Sequence, residues 1–383
     1  MLQKKDAINF LLCFLILLSS GYAFSLETYG DDNPYTGYDY TRLDSAIQST
    51  RARYARYPAS ATLIRQLADL YTATSETDSA LIYWQRLALL QPANDTLPYR
   101  QALLLYDDKR YDSAYAAVRR SLSLRGDNLD YLTLAAITAY RLHQTDSALV
   151  CSRQALAIDP RNINGLLISG LCLRDQHRYE DALIQFSHCL EADPSNTDAL
   201  IHRAEIFVLA KNYDSALRDY SAARADLSEN ADVINNIGIC YYQSGSYSQA
   251  IGFFQKAIQI NSRQPEGNYN KGITNYKLHQ FDSASASLRT AGIVWDSCQT
   301  DSCHARYLDA IYYLGMCYKK TGKLTEAQQQ FDFLQKEQYK TDLTDEIQHI
   351  RYALYFSRNW YYILLGGIIA IALIIAVIRM LRR

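Results

Sequence analysis

The stretch 231-ADVINNIGICYYQSGSYSQAIGFFQKAIQINSRQ-264 contains the pattern that decides the fold of this chain. Two runs with apolar residues three and four positions apart, as on one face of an α-helix, flank a short polar segment around Gly245. Each run contains a small residue, Gly238 in the first and Ala250 in the second. We therefore predict two antiparallel helices that approach each other closely where these two small residues cross.

The same pattern recurs along the chain at a fixed spacing. Alanine occupies the Ala250 position at steps of 34 residues, and one further alanine follows after a step of 43. The alanines are Ala46, Ala80, Ala114, Ala148, Ala182, Ala216, Ala250, Ala284 and Ala327. Large apolar residues often follow four positions later, and we expect them to fill the gap toward the next unit. Equal spacing indicates stacked units that bury one continuous core between neighbours.

With this spacing the chain resembles the tetratricopeptide-repeat family. The match is best at Ile237, Gly238, Tyr241, Tyr242, Gly245, Tyr247, Ala250, Phe254 and Ala257. The resemblance implies an all-α, right-handed superhelical solenoid of about eight helix-turn-helix repeats. The expected repeats are 61–94, 95–128, 129–162, 163–196, 197–230, 231–264, 265–298 and 308–341, a solenoid over 61–341 with an insertion at about 296–307. An N-terminal half-repeat helix at 41–60 and a capping helix at 342–359 are expected at its ends.

The N-terminal end differs from the repeats. Lys4 and Lys5 precede a short apolar run and small residues up to Ala23, which is the form of a secretory signal peptide. We predict a signal peptide at 1–23, with an uncleaved membrane anchor as the alternative. Residues 24–40 show no periodicity and are predicted to be a disordered leader.

The C-terminal end is also distinct. The segment 361–378, YYILLGGIIAIALIIAVI, carries no charge, and arginines follow it. Its length and the excess of positive charge beyond it predict a transmembrane helix at 360–379 and a cytoplasmic tail at 380–383. We therefore predict a single-pass protein of the cytoplasmic (inner) membrane, with its repeats on the periplasmic or extracytoplasmic side. A tail-anchored cytosolic solenoid is the alternative if 7–18 is not a signal.

Composition and motifs argue against two classes of function. The 39 Lys and Arg residues nearly balance the 40 Asp and Glu residues, which gives no basic surface for nucleic acid. No nucleophile elbow, metalloprotease motif or phosphate-binding glycine loop is present. The recurring aspartates, such as Asp146 and Asp214, suit the first turn of the second helices. We therefore predict that the protein is not an enzyme, has no catalytic residues and needs no cofactor.

Two groups of cysteines stand out in the sequence. Cys298 and Cys303 lie in or beside the insertion, and a disulfide between them is expected in an oxidising compartment. A metal site that adds His304 lacks a fourth ligand and has poor spacing, so none is predicted. Three others follow the small first-helix position by two residues and are predicted to be packing residues: Cys172, Cys240 and Cys317.

In the tetratricopeptide family the first helices line a concave face that holds a peptide or a helix. The resemblance therefore implies a partner-binding groove here, into which positions five, nine and twelve of each repeat point. The candidate residues are Tyr99, Tyr106, Tyr140, Leu171, Arg174, Asn235, Tyr242, Tyr269, Tyr276 and Tyr312. Tyrosine offers a large contact area with few rotatable bonds, which suits recognition. The family's Lys and Asn set that clamps a terminal carboxylate is missing.

These features predict a membrane-anchored extracytoplasmic scaffold that binds protein or peptide partners through its groove and assists assembly of an envelope complex. The alternative is a sensory or regulatory ectodomain that signals through a partner membrane protein. Small-residue pairs in the apolar segment, Gly366 with Ala370 and Ala372 with Ala376, would support association of membrane helices.

Overall fold

The computed structural model describes residues 40–223, 230–297 and 300–381, with the side chains of 40–42, 372–373 and 375–381 left out. In these ranges the chain forms eighteen α-helices and no strand. The predicted signal peptide and almost all of the predicted leader lie outside the described residues, as does Cys298.

The chain divides into two compact units, Met1–Ala225 and Asp226–Arg383. The helices of the first unit are α1 (Tyr40–Arg56), α2 (Ala61–Ala73), α3 (Thr77–Leu90), α4 (Thr96–Asp107), α5 (Tyr111–Leu124), α6 (Leu129–Arg141), α7 (Thr145–Ile158), α8 (Ile163–Asp175), α9 (Tyr179–Ala192), α10 (Thr197–Leu209) and α11 (Tyr213–Ala222). Those of the second unit are α12 (Ala231–Gln243), α13 (Tyr247–Ile260), α14 (Pro265–Lys277), α15 (Phe281–Asp296), α16 (Asp301–Lys320), α17 (Leu324–Lys336) and α18 (Thr344–Leu381).

Within each unit every helix packs against the next one in the chain. The first helices of consecutive repeats also contact each other: α4, α6, α8 and α10 in the first unit, and α12, α14 and α16 in the second. The recurring alanines named above are fully buried from Ala80 to Ala327. Each unit is thus a layered array of helix pairs whose core lies between neighbouring repeats.

The closest approach inside a repeat joins a glycine of the first helix to a large side chain of the second. A Cβ atom built on Gly238 would lie 2.6 Å from Cε1 of Phe254, and one on Gly170 would lie 2.6 Å from Cε1 of Phe186. Both phenylalanines are almost fully buried. We expected these large residues to fill the gap toward the next unit, but each ring covers the glycine of its own repeat.

The turn between the two helices of a repeat places one residue in the left-handed region. His143, His177 and Gly245 have φ values of 57°, 59° and 79°, at equivalent positions of different repeats. The next residue bonds back to the first helix, as where Gln144 N–H donates to the Ala139 carbonyl at 2.9 Å. This pairing satisfies the free carbonyls at the helix end. The histidines are therefore turn residues. Of these three residues, Gly245 is the one whose type indicates a turn in the sequence.

The insertion and the capping helix differ from the sequence prediction. α16 has 20 residues, against 13 in the preceding first helix, α14. Most of the insertion at 296–307 therefore extends a first helix. The segments predicted as a capping helix and a transmembrane helix form one continuous helix, α18. Its first turns bury Ile347 and Ile350 against the core of the second unit.

Across the part of the chain that the structure describes, no helix has the length and apolar character needed to cross a membrane. The transmembrane helix predicted at 360–379 is therefore not supported.

Candidate partner-binding groove

The candidate site in each unit is the surface formed by its first helices, called here the groove face. All ten predicted residues lie on first helices: Tyr99 and Tyr106 on α4, Tyr140 on α6, Leu171 and Arg174 on α8, Asn235 and Tyr242 on α12, Tyr269 and Tyr276 on α14, and Tyr312 on α16. The helices that carry them contact one another within each unit. The 34-residue spacing thus brings distant residues side by side.

Two of the ten predicted residues are core residues instead of surface residues. Leu171 has no exposed area, and Asn235 is 6% exposed. The Asn270 amide donates a hydrogen bond of 3.0 Å to the Asn235 side-chain oxygen. A fully buried side chain cannot touch a partner, so Leu171 packs between helices, and Asn235 joins α12 to α14.

Arg174 is the centre of a polar cluster on the groove face of the first unit. Its guanidinium donates hydrogen bonds to Tyr140 Oη at 3.3 Å, to Asp175 Oδ1 at 3.0 Å and to Glu205 Oε2 at 3.2 Å. It also lies 2.8 Å from Nδ1 of His202. These contacts join three consecutive first helices, α6, α8 and α10, through one side chain.

The positive charge of Arg174 lies beside the negative charges of Asp175 and Glu205 in this cluster. Burial raises the pKa of Glu205, but the hydrogen bond from His202 and the charge of Arg174 outweigh it and hold the pKa below the ordinary value of 4.5. Burial lowers the pKa of Arg174, but Tyr140, Glu205 and Asp175 outweigh it and raise that pKa above its ordinary value. The groove face therefore holds a charged guanidinium beside carboxylates.

Sequence reasoning missed Glu205 and His202. Glu205 is the ninth residue of repeat 197–230, one of the three positions used to choose groove residues, so its signal was present. His202 is 5% exposed and its role depends on contact with α8, which no local pattern predicts.

A second tyrosine of the first unit also faces a guanidinium. Burial raises the pKa of Tyr106, and the charge and hydrogen bond of Arg141 act in the opposite direction. The Tyr99 ring packs against Tyr131, with centroids 4.7 Å apart. The groove face of the first unit thus pairs tyrosine hydroxyls with arginines on the next repeat.

The groove face of the second unit is aromatic. We define its tyrosine cluster as Tyr242, Tyr269, Tyr276, Tyr312, Tyr313 and Tyr339, all of them half-buried. Tyr276 and Tyr312 each meet the edge of Tyr313, with centroids 5.6 and 5.3 Å apart. Tyr312 stacks on Tyr339 at 5.5 Å. These geometries are the favourable ones for aromatic pairs.

One carboxylate lies inside the tyrosine cluster. Tyr339 donates a hydrogen bond of 2.7 Å to Asp309 Oδ1, and the Lys340 ammonium lies 2.8 Å from the same oxygen. Burial and then Asp309 raise the pKa of both Tyr339 and Tyr269 above the ordinary value of 10. A second carboxylate, Glu346, acts on Tyr276 and Tyr312 in the same direction.

Four of the cysteines outside the insertion are buried packing residues. Cys172, Cys189, Cys240 and Cys317 are fully buried and free. Burial raises the pKa of Cys172 to about 12. Cys303 is disulfide-bonded, but its predicted partner lies outside the described residues, so that pairing stays a prediction. No group of three or more His, Cys, Asp or Glu side chains within the described ranges could hold a metal ion.

Sequence profiles described as tetratricopeptide repeat match three stretches of the chain, 173–228, 231–264 and 309–337. The middle match coincides with the repeat quoted at the start. The chain contains tetratricopeptide repeats. No curated protein matches the sequence of this tetratricopeptide-repeat protein.

Several solved structures are similar to this chain. The C-terminal part of a TPR repeat-containing protein from Cytophaga hutchinsonii is 14% identical, with a TM-score of 0.50 over 64% of this chain and 98% of that one. A tetratricopeptide repeat protein from Parabacteroides merdae is also 14% identical, with a TM-score of 0.47 over 71% and 99%. YrrB, described as a TPR protein with an unusual peptide-binding site, is 19% identical, with a TM-score of 0.42 over 49% and 97%.

Proposed function

We propose that this tetratricopeptide-repeat protein is a non-enzymatic scaffold that binds an extended segment of a protein partner on its groove faces. The observation that carries the proposal is the row of half-buried side chains on adjacent first helices, of which Tyr140 and Arg174 are direct neighbours. Half-buried tyrosine and arginine side chains are held in place by their neighbours while part of their surface remains available. Residues of this kind dominate binding energies at protein interfaces.

The spacing of the first helices suits an extended ligand. Packed helices lie roughly 8–10 Å apart, and an extended chain advances about 3.3 Å per residue. A bound segment would therefore place about one side chain in three opposite each repeat. The polar cluster around Arg174 offers donors and carboxylates for backbone groups of the ligand, and the tyrosine cluster offers apolar area.

Photo-crosslinking from inside the groove faces tests the proposal. A photoreactive residue in place of Tyr140 or Tyr276 is expected to capture one set of partner segments in cells. The matched control positions are Ile184 on α9 and Ile293 on α15, which are 50% and 68% exposed on second helices. Equal capture of the same segments from Ile184 and Ile293 would show that the groove faces are not the binding surface.

We further propose that the repeats act outside the cytoplasmic membrane, in assembly of an envelope complex. Two features support this location: the basic and apolar start of the sequence, and the disulfide-bonded state of Cys303. Disulfides persist in oxidising compartments and are rare in the cytosol. An impermeant thiol reagent applied to intact cells should label Cys303 only after reduction. A thiol that is already reduced and out of reach of the reagent would contradict an extracytoplasmic location.

Attachment of α18 to the cytoplasmic membrane is part of the same proposal. Its support is the run of large apolar side chains from Ile363 to Ile371, which are between 41% and 60% exposed. Successive helix residues turn by about 100°, so these side chains spread over about two thirds of the helix circumference, which is more than a single protein face would cover. Alkaline carbonate washing of isolated membranes should leave the chain in the pellet. Complete release into the supernatant would contradict the attachment.

A further inference from the structure

Building on the proposed function, we infer that the groove face of the second unit selects a cationic side chain, Lys or Arg, of the bound segment. The cation would lie over the rings of the tyrosine cluster, with Asp309 as its counter-ion.

The chain itself provides an example of this contact. The Lys340 ammonium lies 5.5 Å from the centroid of the Tyr339 ring and 2.8 Å from Asp309 Oδ1. Both distances are those of a favourable cation–π contact and an ion pair. The site can therefore hold a primary ammonium, and Lys340 occupies it in this structure.

Lys340 is poorly suited to be a permanent occupant. Its side chain is 70% exposed, whereas that of Asp309 is 28% exposed. An ion pair with an exposed lysine contributes little, because water and salt screen it. A ligand cation that took the place of Lys340 over the Tyr339 ring, shielded from water by the rest of the bound segment, would gain more from the ring face and from Asp309 than the exposed Lys340 does.

The charges around the tyrosine cluster favour a cation over an anion. Burial raises the pKa of all four tyrosines; Asp309 adds to this rise at Tyr269 and Tyr339, where Arg306 opposes it at Tyr269, and Glu346 adds to it at Tyr276 and Tyr312. Within the described residues, Lys319 pairs with Glu346, and the cation that pairs with Asp309 is the exposed Lys340. Asp309 is thus the carboxylate whose counter-ion is easiest to exchange.

The first unit provides the contrast. There the groove tyrosines face guanidiniums, with Arg174 at 3.3 Å from Tyr140 and Arg141 beside Tyr106. At those positions the chain's own arginines already contact the tyrosine hydroxyls, and Arg174 also pairs with the carboxylates of Asp175 and Glu205. Selectivity for Lys or Arg is therefore expected in the second unit and not in the first.

Peptide pools with one fixed residue test this inference on the full chain in detergent micelles. The probes are four dodecapeptide pools, random except for a central Lys, Arg, Leu or Glu. The Lys and Arg pools are expected to bind about tenfold more tightly than the Glu pool, as the combined ion pair and cation–π contact implies. The preference should weaken at high salt.

Two variants locate the effect. Asp309→Asn keeps an acceptor for Tyr339 and is expected to remove most of the preference for Lys and Arg. The control is Asp332→Asn, which loses an ion pair with Arg351 on the same unit but lies outside the tyrosine cluster. Lys340→Ala is expected to strengthen binding of the Lys pool about threefold, because it removes the competing ammonium. Circular dichroism melts establish that each variant is folded.

The outcomes separate this inference from the proposed function. Equal binding of all four pools, unchanged by Asp309→Asn, would overturn cation selection and leave peptide binding intact. Failure of every pool to bind the folded protein would overturn both. A preference for Lys and Arg that survives Asp309→Asn would also overturn the assignment of Asp309 as the counter-ion.

Discussion

The Arg174 guanidinium donates a hydrogen bond of 3.3 Å to the Tyr140 hydroxyl, although the two residues are 34 positions apart in the sequence. They occupy the same position in consecutive repeats, on α6 and α8. Residues one repeat length apart in the sequence are thus in side-chain contact in the structure. The groove face is a row of such contacts, and the identity of each residue decides the local chemistry.

Removal of the Arg174 side chain should destabilise the first unit. Arg174→Ala leaves the partly buried carboxylate of Glu205 without its cation, and loss of hydrogen bonds to charged groups costs about 1.5–3 kcal/mol. The control is Arg178→Ala, four residues away, whose 49% exposed side chain pairs with Asp181 and is worth roughly 0.5 kcal/mol. Urea unfolding followed by circular dichroism measures both. Equal losses for the two variants would contradict a special role for Arg174.

The polar cluster should also depend on pH. The pKa of Glu205 is lowered in the folded protein, so its ionised form contributes stability that is present above the ordinary value of 4.5 and is lost as pH falls through the folded pKa. The difference in stability between the native protein and Glu205→Gln is expected to shrink below that pH. Thermal melts at a series of pH values measure this gap. A gap that stays constant into acid would show that Glu205 does not titrate as described.

Two glycines of the second unit should respond in opposite directions to alanine. Gly238→Ala would place a methyl group 2.6 Å from the Phe254 ring, and overpacking of this kind costs about 1–3 kcal/mol. Gly252→Ala on α13 meets nothing within 4 Å and should gain about 1 kcal/mol, since alanine favours the helix. Denaturant unfolding measures both changes. Stabilisation by Gly238→Ala would contradict the close contact.

The buried thiols should resist alkylation in the folded protein. Burial raises the pKa of Cys189 and Cys317 to about 12, and the thiolate is the reactive form. Iodoacetamide at neutral pH, followed by mass spectrometry, is expected to modify the half-buried Cys151 before either of them. All three should react once urea unfolds the chain. Rapid native modification of Cys317 would show that its repeat opens readily.

The helix pairs could be predicted from the sequence because they depend on local spacing. Helical periodicity, the alanines 34 residues apart and the turn around Gly245 are all properties of short segments. The positions five, nine and twelve of each repeat also chose first-helix residues correctly as a set. These positions did not distinguish the buried Leu171 from the half-buried Arg174. Both residues lie at groove positions of α8, and their burial depends on the neighbouring helices.

Two segments in the C-terminal part of the chain show where prediction from local spacing fails. The insertion after α15 carries no repeat signal, yet most of it continues α16 as helix. The segments on either side of 359 differ sharply in polarity, yet they form one helix, α18. Helix formation follows backbone geometry and propensity, and a change in surface polarity alone does not end a helix.

The sequence by itself determined that the chain folds into repeated helix pairs of the tetratricopeptide type, because periodicity and small-residue spacing are encoded within each repeat. Only the tertiary structure decided which charges meet on the groove faces: Arg174 with Glu205 in the first unit, and Lys340 with Asp309 in the second. Such contacts join residues on different helices. Their strength depends on burial and distance, and both arise only when the helices pack.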